Sequence, residues 1–204
     1  MVTMPARATR LLLSLATCFG CTTADSPTSP SRVRVAAFNI WELSTAKLMP
    51  SDSAGQGTDP QARAAARVIQ LVRPDILLLN EIDHDDRHPE DLALNARRFN
   101  ERYLAHGEAP IEYPYLYAAP SNTGLLSGLD LNMDGIVASD TDRGERIHGD
   151  DSYGFGTYPG QYAMVILSQY PIDTIGARTF QLFLWRDLPG HNIPPGFYSD
   201  TVLE

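Results

Sequence analysis

The chain has 204 residues, 43% of them hydrophobic and 20% charged, with a formal net charge of −9. That is enough for one soluble domain with a substantial core, and no apolar run reaches the ~18 residues a membrane helix needs. An acidic surface of this kind argues against non-specific duplex binding, which depends on Lys and Arg neutralising phosphates.

Residues 1–21 read as an export segment. Arg7 and Arg10 are followed by the short apolar run Leu11–Ala16 and then by Gly20-Cys21. The pattern is that of a cleaved leader. Cys21 is the expected lipidation site of a lipoprotein, although Cys18 stands where Leu is usual; simple secretion and no export are the alternatives. The expected location is the cell envelope, through a lipid anchor, or the secreted or periplasmic space. Removing this segment takes away two arginines and no acid, which makes the chain more acidic still. Residues 22–31, rich in Ser, Thr and Pro, read as a flexible linker. Both cysteines precede residue 22, so residues 32–204 have no disulfide framework, thiolate metal site or cysteine nucleophile.

Residues 32–204 form the domain proper. Alternation predicts a first strand over Arg32–Trp41, with Ala36, Phe38 and Ile40 on one face and Val35, Ala37 and Asn39 on the other. A helix follows the loop after it. Asp59 suits its N-cap, Pro60 its first position, and Pro74 stops it. Its predicted stripe is Ala65, Val68, Ile69 and Val72. "PDILLLNEID" reads as a buried strand over Asp75–Asn80 that delivers Glu81 at its mouth. Residues 88–107 predict a second helix with Leu92, Ala96, Phe99 and Tyr103 inward. Tyr113–Pro120 is a short edge strand flanked by prolines. Residues 121–161 are a long loop, Gln161–Ile172 a further strand, and Ile175–Trp185 its expected antiparallel partner. The strand-helix-strand opening predicts two parallel neighbours with Asn39 and Glu81 at the same sheet edge, where open α/β sheets bind ligands.

An unpaired carboxylate inside an apolar core costs several kcal/mol. Glu81 is therefore solvated, paired or bound to a cation. "DLNMDG" matches the start of a calcium loop, with Asp130, Asn132 and Asp134 as ligands of a structural Ca²⁺ and Gly135 at the turn. Position twelve is Thr141 where an acid is required, so a metal-free Asx turn is the competing reading. "DHDDRH", Asp83–His88, reads as a solvated charged loop near the active-site edge, with a minor part for His84, Asp85 and His88 in substrate or metal binding as the alternative, and His148 and His191 read as surface residues rather than catalytic ones. Tyr153, Phe155, Tyr158 and Tyr162 either wall a binding site or pack a loop onto the sheet. No P-loop or nucleophile-elbow string occurs.

"RVAAFNIW", "PDILLLNEID" and "YGFGTYPGQYAMVILSQYPI", in that order, resemble the endonuclease/exonuclease/phosphatase superfamily, with its deoxyribonuclease-I-like fold, in a secreted bacterial form. The resemblance implies an α/β sandwich of two mixed sheets with outer helices. It implies Glu81 as a Mg²⁺ or Mn²⁺ ligand, and Asn39 beside it as a catalytic group helping to hold metal or phosphate. The implied reaction is phosphoester hydrolysis by a metal-activated water. The acidic chain favours a small phosphoester over duplex nucleic acid. The family's catalytic His, its G-D-x-N string and its terminal S-D-H string do not occur among these 204 residues. The expectation is therefore an incomplete domain, inactive by itself, with an exported Ca²⁺- or ligand-binding protein as the alternative.

Overall fold

A computed structural model describes residues 32–203. Cys21, the export segment and the linker lie outside the described residues. The elements in chain order are β1 (Val35–Leu43), α1 (Thr45–Leu48), α2 (Pro60–Val72), β2 (Ile76–Ile82), α3 (Leu94–Phe99), β3 (Tyr115–Tyr117), α4 (Arg146–Asp150), β4 (Met164–Ser168) and α5 (Asp200–Leu203). A π-turn over Asn100–Leu104 extends α3. The strands form one mixed sheet in the order β1-β2-β4-β3, with β1 and β2 parallel and β4 antiparallel to both β2 and β3. The fold is α/β, as expected. Among the described residues there is one sheet, where the resemblance implies two.

The inner face of the sheet makes the core. Ile40, Leu77, Leu79, Val165 and Leu167 pack against Ala62, Ala66 and Ile69 of α2 and against Ala96, Phe99 and Tyr103. α2 begins as its punctuation dictates: the Asp59 side chain accepts a hydrogen bond from the Ala62 N–H at 2.8 Å. Its buried face is rotated from the predicted stripe. Ala62, Ala65, Ala66 and Ile69 face inward, while Val68 is 49% exposed and Val72 is exposed too. Small alanines let the helix lie close to the sheet, and that closeness decides the face more than side-chain hydropathy does. On the outer face of the sheet, Val35, Ala37, Asn39 and Met164 are exposed.

Ile175–Trp185 is not a strand. β4 pairs with β2 along one edge and with β3 along the other, so neither edge is left for a third partner. The second helix starts at Leu94 rather than near residue 88, after turns through Asp91. The 121–161 segment is not only loop, since it holds α4 and two bridges, Thr123 to Gly154 and Leu126 to Ser152. Gly124 sits at their junction with φ +70°, and a Cβ there would lie 1.9 Å from the Tyr158 carbonyl oxygen.

Candidate active site

β1 and β2 run in register from Val35↔Ile76 to Asn39↔Asn80 and resume at Leu43↔Ile82. Three residues of β1 therefore face one residue of β2, which is a bulge. Trp41 and Glu42 have φ of 53° and 52°, and Glu81 opposite them has φ 62°. Strict alternation from Leu77 and Leu79 would drive Glu81 into the core. The left-handed residue resets the parity: Ile82 becomes buried and Glu81 turns out, half-exposed. The same reset brings Leu43 inward three residues after Ile40. Left-handed backbone at non-glycine residues is strained and gathers at functional sites.

The bulge frees β1 carbonyls from the ladder, and each finds a side-chain donor. Gln61, in the first turn of α2, donates its amide to the carbonyls of Ile40 and Trp41. Lys47 of α1 donates its ammonium to the Glu42 carbonyl at 2.7 Å and to Gln61 Oε1 at 2.9 Å.

Asn39 and Glu81 meet at this bulge, as predicted. Asn39 Nδ2 donates to Glu81 Oε1 at 2.7 Å, and Asn39 Oδ1 accepts the Trp41 N–H at 2.9 Å. Both ends of the amide are engaged, so Asn39 orients the carboxylate. Glu81 Oε2 has no hydrogen bond among the described residues. Glu42 lies on the β1 side of the bulge and accepts from Gln161 Nε2 at 3.2 Å. It was hidden in what the sequence reads as a loop. Its only signal is the off-parity apolar pair Ile40 and Leu43 around it.

Asp83–Asp85 is not a solvated loop. Asp83 is 1% exposed and His84 and Asp85 are buried; only the Asp86–His88 part faces solvent. Hydrogen bonding draws the two aspartates in. Asp83 accepts the Tyr158 O–H and the Tyr162 N–H, the latter at 3.0 Å. Burial pushes its carboxyl up to about 6, against the lowering effect of those bonds. Asp85 accepts from Arg98 at 2.7 Å and from Arg87 at 3.1 Å. Burial would raise its pKa, but these bonds carry it down to about 2. His84 donates its backbone N–H to Gly160 O at 2.9 Å, and burial lowers the pKa of its ring. His148, expected at the surface, is 2% exposed within α4, with Nε2 3.0 Å from Gly124 O. His191 is exposed.

Asp130, Asn132 and Asp134 come together in an exposed turn. Asp130 accepts from the Asp134 and Gly135 N–H groups at 3.1 and 2.8 Å, Asn132 from Asp134, and Asp134 from Ile136. These are Asx-type bonds to the turn's own backbone. Of the four aromatics, Tyr153 and Phe155 are exposed, and Phe155 stacks on Tyr162 with centroids 6.3 Å apart.

Among the described residues no three His, Cys, Asp or Glu side chains lie close enough to cage a metal. The bulge carries two carboxylates, Glu81, oriented and with a free oxygen, and Glu42. A hard cation such as Mg²⁺ is held by one or two carboxylates, waters and substrate phosphate, so this donor set fits it.

No curated protein and no solved structure matches the chain. The model of the endonuclease/exonuclease/phosphatase family matches residues 36–203, from the second residue of β1 to the last of α5. That family comprises phosphoesterase- and nuclease-type hydrolases, generally dependent on a divalent metal. The strand that carries Asn39, the bulge that turns out Glu81 and the strand after Tyr162 all lie inside the match, and the chain belongs to the endonuclease/exonuclease/phosphatase family.

Proposed function

We propose that residues 32–204 are the metal-binding front part of an exported phosphoesterase that uses Mg²⁺ or Mn²⁺ and acts on a small phosphoester. The observation that carries this reading is the 2.7 Å hydrogen bond between Asn39 and Glu81 on the bulged strand ends. Glu81 would hold the cation through its free oxygen, with Glu42 as the second carboxylate of the bulge. When bound, the cation supplies positive charge to the phosphoryl oxygens and lowers the pKa of a coordinated water. Asn39 prevents rotation of Glu81, and the rigid β2 run behind it fixes its position. Gln61 and Lys47 hold the strained bulge in shape from below.

The acidic balance of the chain supports a small phosphoester, such as a phosphomonoester, a sugar phosphate or a lipid head group, over duplex nucleic acid. The leader-like residues 1–21 support export, with Cys21 as the anchor point. The activity belongs to Glu81 acting with the His, G-D-x-N and S-D-H groups of the family, which residues 1–204 do not supply; this stretch alone is expected to show no turnover. The test is hydrolysis of p-nitrophenyl phosphate and bis-p-nitrophenyl phosphate by the full-length protein in Mg²⁺ or Mn²⁺. Activity abolished by EDTA and restored by Mn²⁺ is the expected result. Hydrolysis that survives EDTA refutes the metal mechanism.

A further inference from the structure

The turn Tyr158–Tyr162 is fastened to the end of β2. The Ile82 N–H donates to Ala163 O at 3.2 Å and the His84 N–H to Gly160 O at 2.9 Å. The buried Asp83 carboxylate takes the Tyr162 N–H on one oxygen and the Tyr158 O–H on the other. Gly160 has φ +81°, and a Cβ there would press on the His84 Cβ at 2.7 Å, so only glycine lets the turn lie this close to the strand end. Tyr162 itself has φ 56°. The result is a strained, multiply held residue whose ring stands half-buried beside the bulge.

The polar donors around Glu81 are almost all committed. The Asn39 amide is bonded to Glu81, the Gln161 amide to Glu42, and the Lys47 ammonium to the Glu42 carbonyl and Gln61. The Tyr162 hydroxyl alone of these makes no hydrogen bond among the described residues. Burial first, then the carboxylates of Glu42, Asp83 and Glu81, hold its pKa above the usual phenol range. A phenol is protonated at neutral pH, so this hydroxyl is available as a donor.

We propose that Tyr162 is the phosphoryl-facing donor of this site: its O–H hydrogen-bonds a non-bridging oxygen of the substrate phosphoryl group bound at Glu81. Asp83 and Tyr158 are positioning residues that act through it. This deepens the metal-dependent phosphoesterase reading and rests on it.

The test uses Tyr162→Phe in the full-length protein, which removes one oxygen and keeps the ring that stacks on Phe155. Mn²⁺ binding alone is measured by electron paramagnetic resonance, and inorganic phosphate binding in the presence of Mn²⁺ by calorimetry. The expected result is unchanged Mn²⁺ affinity with phosphate affinity lower by roughly tenfold or more, and a matching fall in kcat on bis-p-nitrophenyl phosphate. Tyr158→Phe, which removes one bond to Asp83, gives a smaller loss of phosphate affinity, and the double variant is no worse than Tyr162→Phe alone. Additive losses in the double variant overturn the positioning role. If the wild type binds both Mn²⁺ and phosphate and Tyr162→Phe matches it, the Tyr162 assignment alone is overturned. A wild type that binds neither overturns the phosphoesterase reading, and this inference with it.

Discussion

Replacing Glu81 by alanine and, separately, by glycine distinguishes the backbone at this position from its carboxylate. Both changes remove the Asn39 hydrogen bond, which at a half-exposed site contributes about 1 kcal/mol. They differ in the left-handed backbone at φ 62°. Alanine keeps that strain, about 1–2 kcal/mol for an L residue, whereas glycine releases it. Against this, glycine loses about 0.4–1 kcal/mol more backbone entropy on folding. Glu81→Ala is therefore expected about 1 kcal/mol below wild type, and Glu81→Gly within about 0.5 kcal/mol of it. For a chain of this size, 1 kcal/mol corresponds to about 2–4 °C in Tm. Urea unfolding with a fluorescence readout measures the difference, and Mn²⁺ titration of both variants measures the ligand role, which both should lose alike. An alanine variant as stable as the glycine variant would mean that residue 81 is not left-handed, and the parity reset at Ile82 would fall with it. Retained Mn²⁺ affinity in either variant would remove Glu81 from the ligand set.

Two further expectations concern the surroundings of the site. The folded pKa of Asp85 is about 2, below the 3.8 of a free aspartate, so its contribution is complete above about pH 4 and is lost as pH falls through 2. At neutral pH it amounts to about 2 kcal/mol, and the stability gap between wild type and Asp85→Asn should close on acidification from pH 6 to 2; a gap independent of pH would contradict the ion-pair account. Gly124→Ala should cost at least about 2 kcal/mol, from φ strain and the clash with the Tyr158 carbonyl. Gly128→Ala, at φ +75° with nothing within 4 Å, carries only the strain and should cost about 1 kcal/mol, and equal losses from the two in thermal unfolding would remove the clash from the account.

Much of the fold and part of the site were legible in the sequence because they rest on local physics. Asp59-Pro60 sets a helix start through one hydrogen bond and one fixed φ. The alternation of β1 and the aliphatic run of β2 make strands whose parallel pairing places Asn39 next to Glu81. The three ordered motifs carried the family, which the match over 36–203 bears out.

What the chain could not announce is everything that depends on which surfaces meet. A period-two reading sends Glu81 inward; only the opposed bulge residues Trp41 and Glu42, forty positions earlier, allow the left-handed turn that sends it out. Asp83 and Asp85 look solvated because their donors, Tyr158, Tyr162 and Arg98, are remote in sequence. Ile175–Trp185 looks like a strand by pattern, but strand identity depends on a free edge, and β3 had taken the one beside β4. Sequence by itself determined the start of α2, the presence of the strands that pair in the sheet and the chemistry available at residues 39 and 81. Tertiary structure decided where carboxylates point and which are buried, because burial and hydrogen-bond pairing are properties of contacts between distant segments.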